Sequence, residues 1–242
     1  MKIYIAIDDT DSLEIGATGQ SANELRQIIR TKGWGEPEPV TRHQLLLHPD
    51  IPYTSHNSSM CFSVDMKEDE LDNLIHCAAE FLENTSAPGS DPGLCVAAID
   101  RIKDIDCLIQ FGFKAKKEIL NKEAAYKTAE YCGIHLSEHG GTGQGIIGAI
   151  AAIGLRMTGN DGRFQGKIKL KDIGEAMGIE EILANTEIAE VQSIDGQVLA
   201  SCETLIVGNK IKTVLLEGKR KLLVYRKNDE WHTCTNRHLE RY

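Results

Sequence analysis

Residues 145–154 read Gly-Ile-Ile-Gly-Ala-Ile-Ala-Ala-Ile-Gly. Wound as a helix, this run is apolar on every side, so it has no face to offer water and must be buried by other elements. Its glycines and alanines let neighbouring backbones approach closely. Directly before it stands Gly140-Gly141-Thr142-Gly143-Gln144-Gly145. A glycine-rich turn opening into a helix presents unpaired backbone N–H groups and the positive end of the helix dipole, which together suit an anion such as phosphate. No lysine completes a Walker string and no strand-borne Gly-x-Gly-x-x-Gly is present, so neither named nucleotide motif applies. Read alone, the loop is also compatible with a tight packing turn. A buried helix behind such a loop makes a rigid platform for a site.

The second constraint lies at the N-terminus. An apolar strand pattern, Ile3-Tyr4-Ile5-Ala6-Ile7, runs into Asp8-Asp9-Thr10-Asp11-Ser12 and then Gly16-Ala17-Thr18-Gly19. Three carboxylates within four residues repel one another, and a fold retains them most readily when a cation or a network of donors compensates the charge. Asp8, Asp9 and Asp11 are therefore candidate ligands for Mg²⁺, which takes one or two carboxylates and shares phosphate oxygens. The alternative is an acidic turn, since Asp and Ser favour turns and caps. Thr18 has two compatible roles: capping the helix that follows, or bringing its hydroxyl close to a phosphate.

At 242 residues and 41% hydrophobic content, the chain can bury a substantial core in one large or two modest domains. No stretch approaches the roughly 20 apolar residues of a membrane span and the N-terminus lacks a signal-peptide layout, so a cytoplasmic protein is expected. Seven cysteines without a Cys-x-x-Cys pair suggest reduced, mostly buried thiols rather than a disulfide framework or zinc ribbon. The net charge of −9 is unevenly spread: residues 208–242 hold nine Lys or Arg against four Asp or Glu, leaving −14 for residues 1–207. The basic end reads as a solvated β-rich surface or a patch docking on the acidic body, with an RNA or phosphate contact as the alternative.

The pattern predicts a strand at 2–7, a helix near 20–32, an extended segment at 40–48, a rigid proline turn at 49–53, a strand at 60–64 and an amphipathic helix at 68–83. A buried strand at 94–99 and helices within 101–134 follow, and 135–139 reads as a polar lead into the glycine turn. Beyond 160 a helix is expected at 170–184, then short strands at 187–191, 202–207, 213–217, 221–226 and 231–235. The result is an α+β chain with a loose boundary near 160, an α/β region at 1–160 and a smaller, β-rich region at 161–242. His43, His48, His56, His135 and His139 show no ligand spacing and are read as structural or surface groups.

The acidic string at 7–12, Leu47-His48-Pro49-Asp50-Ile51-Pro52-Tyr53, Asp91-Pro92-Gly93-Leu94, Lys114-Ala115 and the run 143–154 occur in the order seen in the archaeal tRNA-isoleucine 2-agmatinylcytidine synthetases. The chain resembles that family over about residues 1–160 and more faintly beyond. The resemblance implies a kinase-type catalytic domain coupled to a ferredoxin-like α/β domain, dependent on ATP and Mg²⁺. In that family ATP activates the C2 oxygen of a cytidine by phosphoryl transfer and the amine agmatine displaces it, with tRNA as the acceptor. Asp8, Asp9, Asp11 and Thr18 would then be catalytic, Gly141, Thr142, Gly143, Gln144 and Gly145 would hold the phosphates, and Thr18 matches a threonine that the family phosphorylates. Ala17-Thr18-Gly19-Gln20 replaces the family's Cys-Thr-Thr-Tyr, and Thr54-Ser55-His56-Asn57-Ser58 replaces a basic run, placing His56 where the family has a cation. With roughly 80 residues after position 160 and no cysteine pairs, the family's OB-fold and zinc-ribbon modules are not expected in full. The expectation is an ATP-dependent ligase or kinase-like enzyme; the alternatives are a paralogue acting on a non-tRNA small acceptor and a non-catalytic nucleotide-binding protein.

Overall fold

The computed structural model describes residues 1–12, 16–51, 57–166, 168, 170, 173–209, 211–240 and 242. It shows a mixed α/β chain in two compact units, Met1–Thr158 and Gly159–Tyr242. No helix among the described residues is long and apolar enough to cross a membrane. All seven cysteines are free, with Cys202 exposed and Cys77 and Cys107 half-buried.

In the first unit the elements run β1 (Lys2–Asp8), α1 (Thr18–Thr31), β2 (Thr41–Gln44), β3 (Ser58–Asp65), α2 (Leu71–Thr85), β4 (Gly93–Ala98), α3 (Ile105–Ala115), α4 (Lys122–Cys132), β5 (His135–Glu138) and α5 (Gly145–Met157). The strands lie in the order β5-β4-β1-β3-β2, each antiparallel to its neighbour. β1 is central, with Ile5 opposite both Phe62 of β3 and Val96 of β4. Because side chains alternate across a strand, Ile3, Ile5 and Ile7 join Leu25 and Ile29 of α1 and Leu74, Ala78 and Leu82 of α2 in one core layer. Ala6, Cys61, Cys95 and Ala97 pack on the opposite side with Leu108, Phe111 and most of α5. The apolar helix is thus buried between the sheet and α3.

Two glycines set how closely α3 and α5 approach. A Cβ at Gly154 would stand 2.0 Å from the carbonyl oxygen of Leu108, and one at Gly112 would stand 2.9 Å from that of Ala151. At the far end of α5 Arg156 is the exception to its apolar character. It donates to the carbonyls of Pro39 and Cys61, to Thr41 Oγ1 at 2.6 Å and to Glu38 at 3.0 Å, so its buried charge is fully engaged.

β5 differs from the expectation of a polar lead-in. His135 and Ser137 of this edge strand and His139 just beyond it form one hydrogen-bonded chain: His135 Nε2 to Ser137 Oγ at 2.8 Å, Ser137 Oγ to His139 Nε2 at 2.7 Å, and His139 Nδ1 to Glu83 at 3.2 Å. Burial, with the nearby His139, holds His135 below its ordinary pKa of 6.5. A depressed histidine binds its proton more readily when unfolded, so its contribution to stability is present above about pH 6.5 and is lost as the pH falls below it. In His135→Asn this acid-side loss is expected to flatten, as measured by thermal melts from about pH 7.5 to 5.

The second unit runs β6 (Arg163–Phe164), β7 (Ala176–Gly178), α6 (Ile179–Ala184), β8 (Glu190–Ser193), β9 (Thr204–Ile206), β10 (Thr213–Leu216), β11 (Lys219–Lys227) and β12 (Glu230–Thr233). Its strand order is β6-β10-β11-β12-β9-β7, with β8 parallel to β11. Met177, Ile179, Ile182, Val191, Leu205, Leu222 and Val224 form its core. The helix expected over 170–184 is here a strand and a short helix. Gly174, at φ +91°, turns the chain and donates to the Val207 carbonyl at 2.8 Å, β7 pairs with β9, and Gly178 is extended at the start of α6. Residues 171–172 of that expected helix lie outside the described residues.

Candidate functional site

The acidic string leaves the end of β1 in a backbone that few residue types tolerate: Asp9 has φ +52°. Asp is among the residues that accept this left-handed region, and such conformations recur at functional sites. The turn is fastened from several sides. Thr10, buried, donates its N–H to Thr18 Oγ1 at 3.3 Å and its hydroxyl to Ser21 at 3.1 Å, while its carbonyl accepts the Ala87 N–H at 3.0 Å. Thr18 is the first residue of α1 and makes no side-chain cap, the preceding Ala17 occupying that position. Its hydroxyl instead donates to Asp11 Oδ1 at 2.6 Å.

The far half of the site is the start of α5. Gly93, Gly145 and Gly148 let β4, β1 and α5 meet at backbone distance: a Cβ at Gly93 would fall 2.2 Å from the carbonyl carbon of Gly145 and from the nitrogen of Ile146. One at Gly148 would fall 1.7 Å from Asp8 Oδ2. Asp8 therefore lies against the first turn of α5.

Around these elements lies a pocket of about 380 Å³. Asp8, Asp9, Asp11 and Thr18 line it on one side and Thr142, Gln144, Gly145 and Gly148 on another; Leu45, Ile51, Ala115, Ile119, Leu120 and Ile147 give it an apolar wall. The two stretches singled out in the sequence, 137 residues apart from Asp8 to Gly145, thus face one cavity. Gly141 and Gly143 do not line it. They sit behind, where a Cβ would meet Asp91 and Glu138 respectively.

The electrostatics are one-sided. Asp50 and Glu118 add to the three aspartates of the string, and no described lining residue is Lys or Arg. Burial, then the charges of Asp9 and Asp11, push Asp8 well above the usual carboxylate range, against a backbone hydrogen bond from Asp9 that lowers it. Asp9 is raised to about 6 by burial and by the charges of Asp91 and Asp11. Among the described residues no group of three or more His, Cys, Asp or Glu side chains is arranged as a ready metal cage. The oxygen donors nevertheless suit Mg²⁺, a hard cation that keeps most of its shell as water or phosphate and needs only one or two carboxylates. Their mutual repulsion is the stress such an ion relieves.

Asp91, which sequence reasoning placed only in a shared motif, is tied to the glycine turn. Its carboxylate accepts the N–H of Thr142, the Thr142 hydroxyl at 2.7 Å and the Gly143 N–H at 3.3 Å, and its carbonyl accepts the Gly145 N–H at 3.1 Å. Part of the anion cradle expected of the loop is already filled by the protein's own carboxylate. His56 and the stretch 52–56 lie outside the described residues.

The basic end also reads differently in three dimensions. Lys221 is fully buried and contacts Glu190 at 2.6 Å, Arg220 pairs with Glu187, and Lys219 lies 3.8 Å from Glu190. These three cations are engaged within their own unit.

No family profile matches the chain. TiaS of Thermococcus sibiricus, a 2-agmatinylcytidine synthetase acting on an isoleucine tRNA, is 30% identical over 159 residues, which are 64% of this chain and 35% of that protein. An uncharacterized protein of Methanocaldococcus jannaschii is 30% identical over 155 residues, 64% of this chain and 50% of its own length. Among solved structures, the complex of TiaS with isoleucine tRNA and ATP superposes with a TM-score of 0.55 at 25% identity, covering 64% of this chain and 36% of that one. The chain is thus TiaS-like over about two-thirds of its own length, and it spans about a third of the length of the TiaS proteins it matches.

Proposed function

We propose that this chain is an ATP- and Mg²⁺-dependent enzyme that activates a cytidine or related acceptor by phosphoryl transfer and then adds an amine, in the manner of the TiaS proteins. The observation that carries the reading is the meeting of Asp8, Asp9, Asp11 and Thr18 with Thr142, Gln144 and Gly145 on one pocket. Asp8, Asp9 and Asp11 would hold Mg²⁺, which when bound would neutralise phosphate oxygens in a pocket whose described lining offers no cationic side chain. The apolar wall of Leu45, Ile51, Ile119 and Ile147 suits a nucleoside base. Thr18 would serve as a phosphoryl acceptor in a step separate from activation of the cytidine: its oxygen would take the γ-phosphoryl group, ADP would leave, and the hydroxyl proton would pass to Asp11, already 2.6 Å away. The chain order β1-α1-β2-β3-α2-β4 with sheet order β4-β1-β3-β2 supports a ferredoxin-like element within residues 2–98, with α3, α4, β5 and α5 completing the catalytic part.

Labelled ATP with Mg²⁺ tests the proposal. Turnover, or label on Thr18, is expected with the native chain and absent from Asp11→Asn and Thr18→Ala; tight nucleotide binding without either reaction reduces the chain to a sensor. A second reading, a paralogue acting on a small acceptor instead of tRNA, is favoured by the engagement of Lys219, Arg220 and Lys221 with glutamates. It predicts label release with cytidine nucleotides and agmatine or another amine, and no salt-sensitive binding of isoleucine tRNA.

A further inference from the structure

We infer that Asp91 and the Lys122–Glu138 pair are positioning residues that clamp Thr142 and so fix the glycine turn as a wall of the pocket, an inference that rests on the nucleotide reading above. A turn with glycine at 140, 141, 143 and 145 is costly to order, because each glycine has wide backbone freedom to lose. Here every polar group of Thr142 is held by a side chain from another element. Asp91, just before β4, takes its N–H and its hydroxyl; Lys122, at the start of α4, donates to its carbonyl at 2.7 Å. Lys122 is itself set by Glu138 of β5, at 2.8 and 2.9 Å, and Glu138 accepts the Tyr126 hydroxyl at 2.8 Å.

The glycines fit this clamp from behind. A Cβ at Gly141 would lie 1.9 Å from Asp91 Oδ1, and one at Gly143 would lie 1.8 Å from Glu138 Oε2. Both have positive φ, +54° and +74°. The two carboxylates therefore lie hard against Gly141 and Gly143, the neighbours of Thr142, while Thr142 itself lines the pocket. With the Thr142 and Gly143 N–H groups taken by Asp91, the turn serves the ligand as a fixed wall more than as a free cradle, and its position depends on the clamp.

Amide exchange by mass spectrometry and binding of a non-hydrolysable ATP analogue with Mg²⁺ test this together. Asp91→Asn and Lys122→Met are expected to speed exchange in the peptide covering 140–146 about tenfold and to weaken the analogue about tenfold, with melting temperatures within about 2 °C of the native chain. Lys122→Arg, which can still donate to both Glu138 and the Thr142 carbonyl, is expected to restore both readouts. The charge swap Lys122→Glu with Glu138→Lys keeps an ion pair but loses the donor to Thr142, and is expected not to. Unchanged exchange in the single variants overturns the clamp, as does full rescue by the swap, which reduces it to an ion pair. Faster exchange with unchanged analogue affinity overturns its positioning role. If the native chain binds no nucleotide, the nucleotide reading fails, while faster exchange in the variants still supports the clamp itself.

Discussion

Asp8→Asn is expected to give a chain that is more heat-resistant and cannot use ATP. Burial, and then repulsion by Asp9 and Asp11, hold the Asp8 carboxyl well above the usual carboxylate range. At neutral pH the fold thus bears the cost of keeping an acid where its charge is unwelcome. Asparagine has nearly the shape of the neutral acid, so it fits the same space and removes the repulsion. A gain of about 1 kcal/mol, or roughly 2–4 °C in Tm, is expected from this class of change at a functional site. The same substitution removes an oxygen ligand and a charge that Mg²⁺ would share with phosphate, and label transfer from ATP should disappear. Added Mg²⁺ separates the two chains: it should raise the melting temperature of the native chain more than that of Asp8→Asn, because only the former has the full repulsion to relieve. A variant that melts lower than the native chain, or an equal response to Mg²⁺ in both, would remove Asp8 from the metal reading.

What the sequence made legible follows the range of the forces involved. The apolar run at 145–154 declares its burial locally, since no arrangement of neighbours gives such a helix a wet face. The charges at 8–11 declare their need for compensation for the same reason. Asp91 could not be read that way: its partners Thr142 and Gly143 are some fifty residues along the chain, and nothing in Asp91-Pro92-Gly93 distinguishes a loop that turns from one that plugs another loop. Charge counting over 208–242 could not show these pairings for a related reason, because Glu187 and Glu190, which engage Arg220 and Lys221, lie outside the counted window. Over 170–184 the apolar spacing of Ile173, Ala176 and Met177 imitates a helix, yet Ile173 is exposed and Met177 is buried in a strand. β5 was hidden because edge strands carry polar residues, and its one core-facing side chain, Leu136, is too little pattern to read.

The glycines at the crossing of β1, β4 and α5 carry the largest expected loss of stability. Gly93 has an ordinary backbone angle, so alanine there is not opposed by its own conformation. The obstacle is space: its Cβ would lie 2.2 Å from two main-chain atoms of α5 and 2.5 Å from a third, the Gly145 carbonyl oxygen. Main-chain atoms at the first turn of a buried helix cannot swing aside as a side-chain tip can, so α5 must move as a body or β4 must part from β1. Overpacking of this kind costs about 3 kcal/mol, a fall of roughly 6–12 °C in Tm for a chain of this size. Gly178→Ala is the matched comparison. Its Cβ would meet nothing within 4 Å and its φ of −69° suits alanine, so it should be neutral or slightly stabilising through the unfolded chain. The two substitutions change the same atoms, so the difference between their melts measures the crossing itself. Because the displaced segment carries Thr142, Gln144 and Gly145, whatever fraction of Gly93→Ala remains folded should bind the ATP analogue at least about tenfold more weakly, since a site shifted by about 1 Å loses its alignment. Equal melts for the two variants would mean that α5 and β4 do not meet as closely as the backbone contacts require, and that the start of α5 is not held against the acidic turn by this crossing.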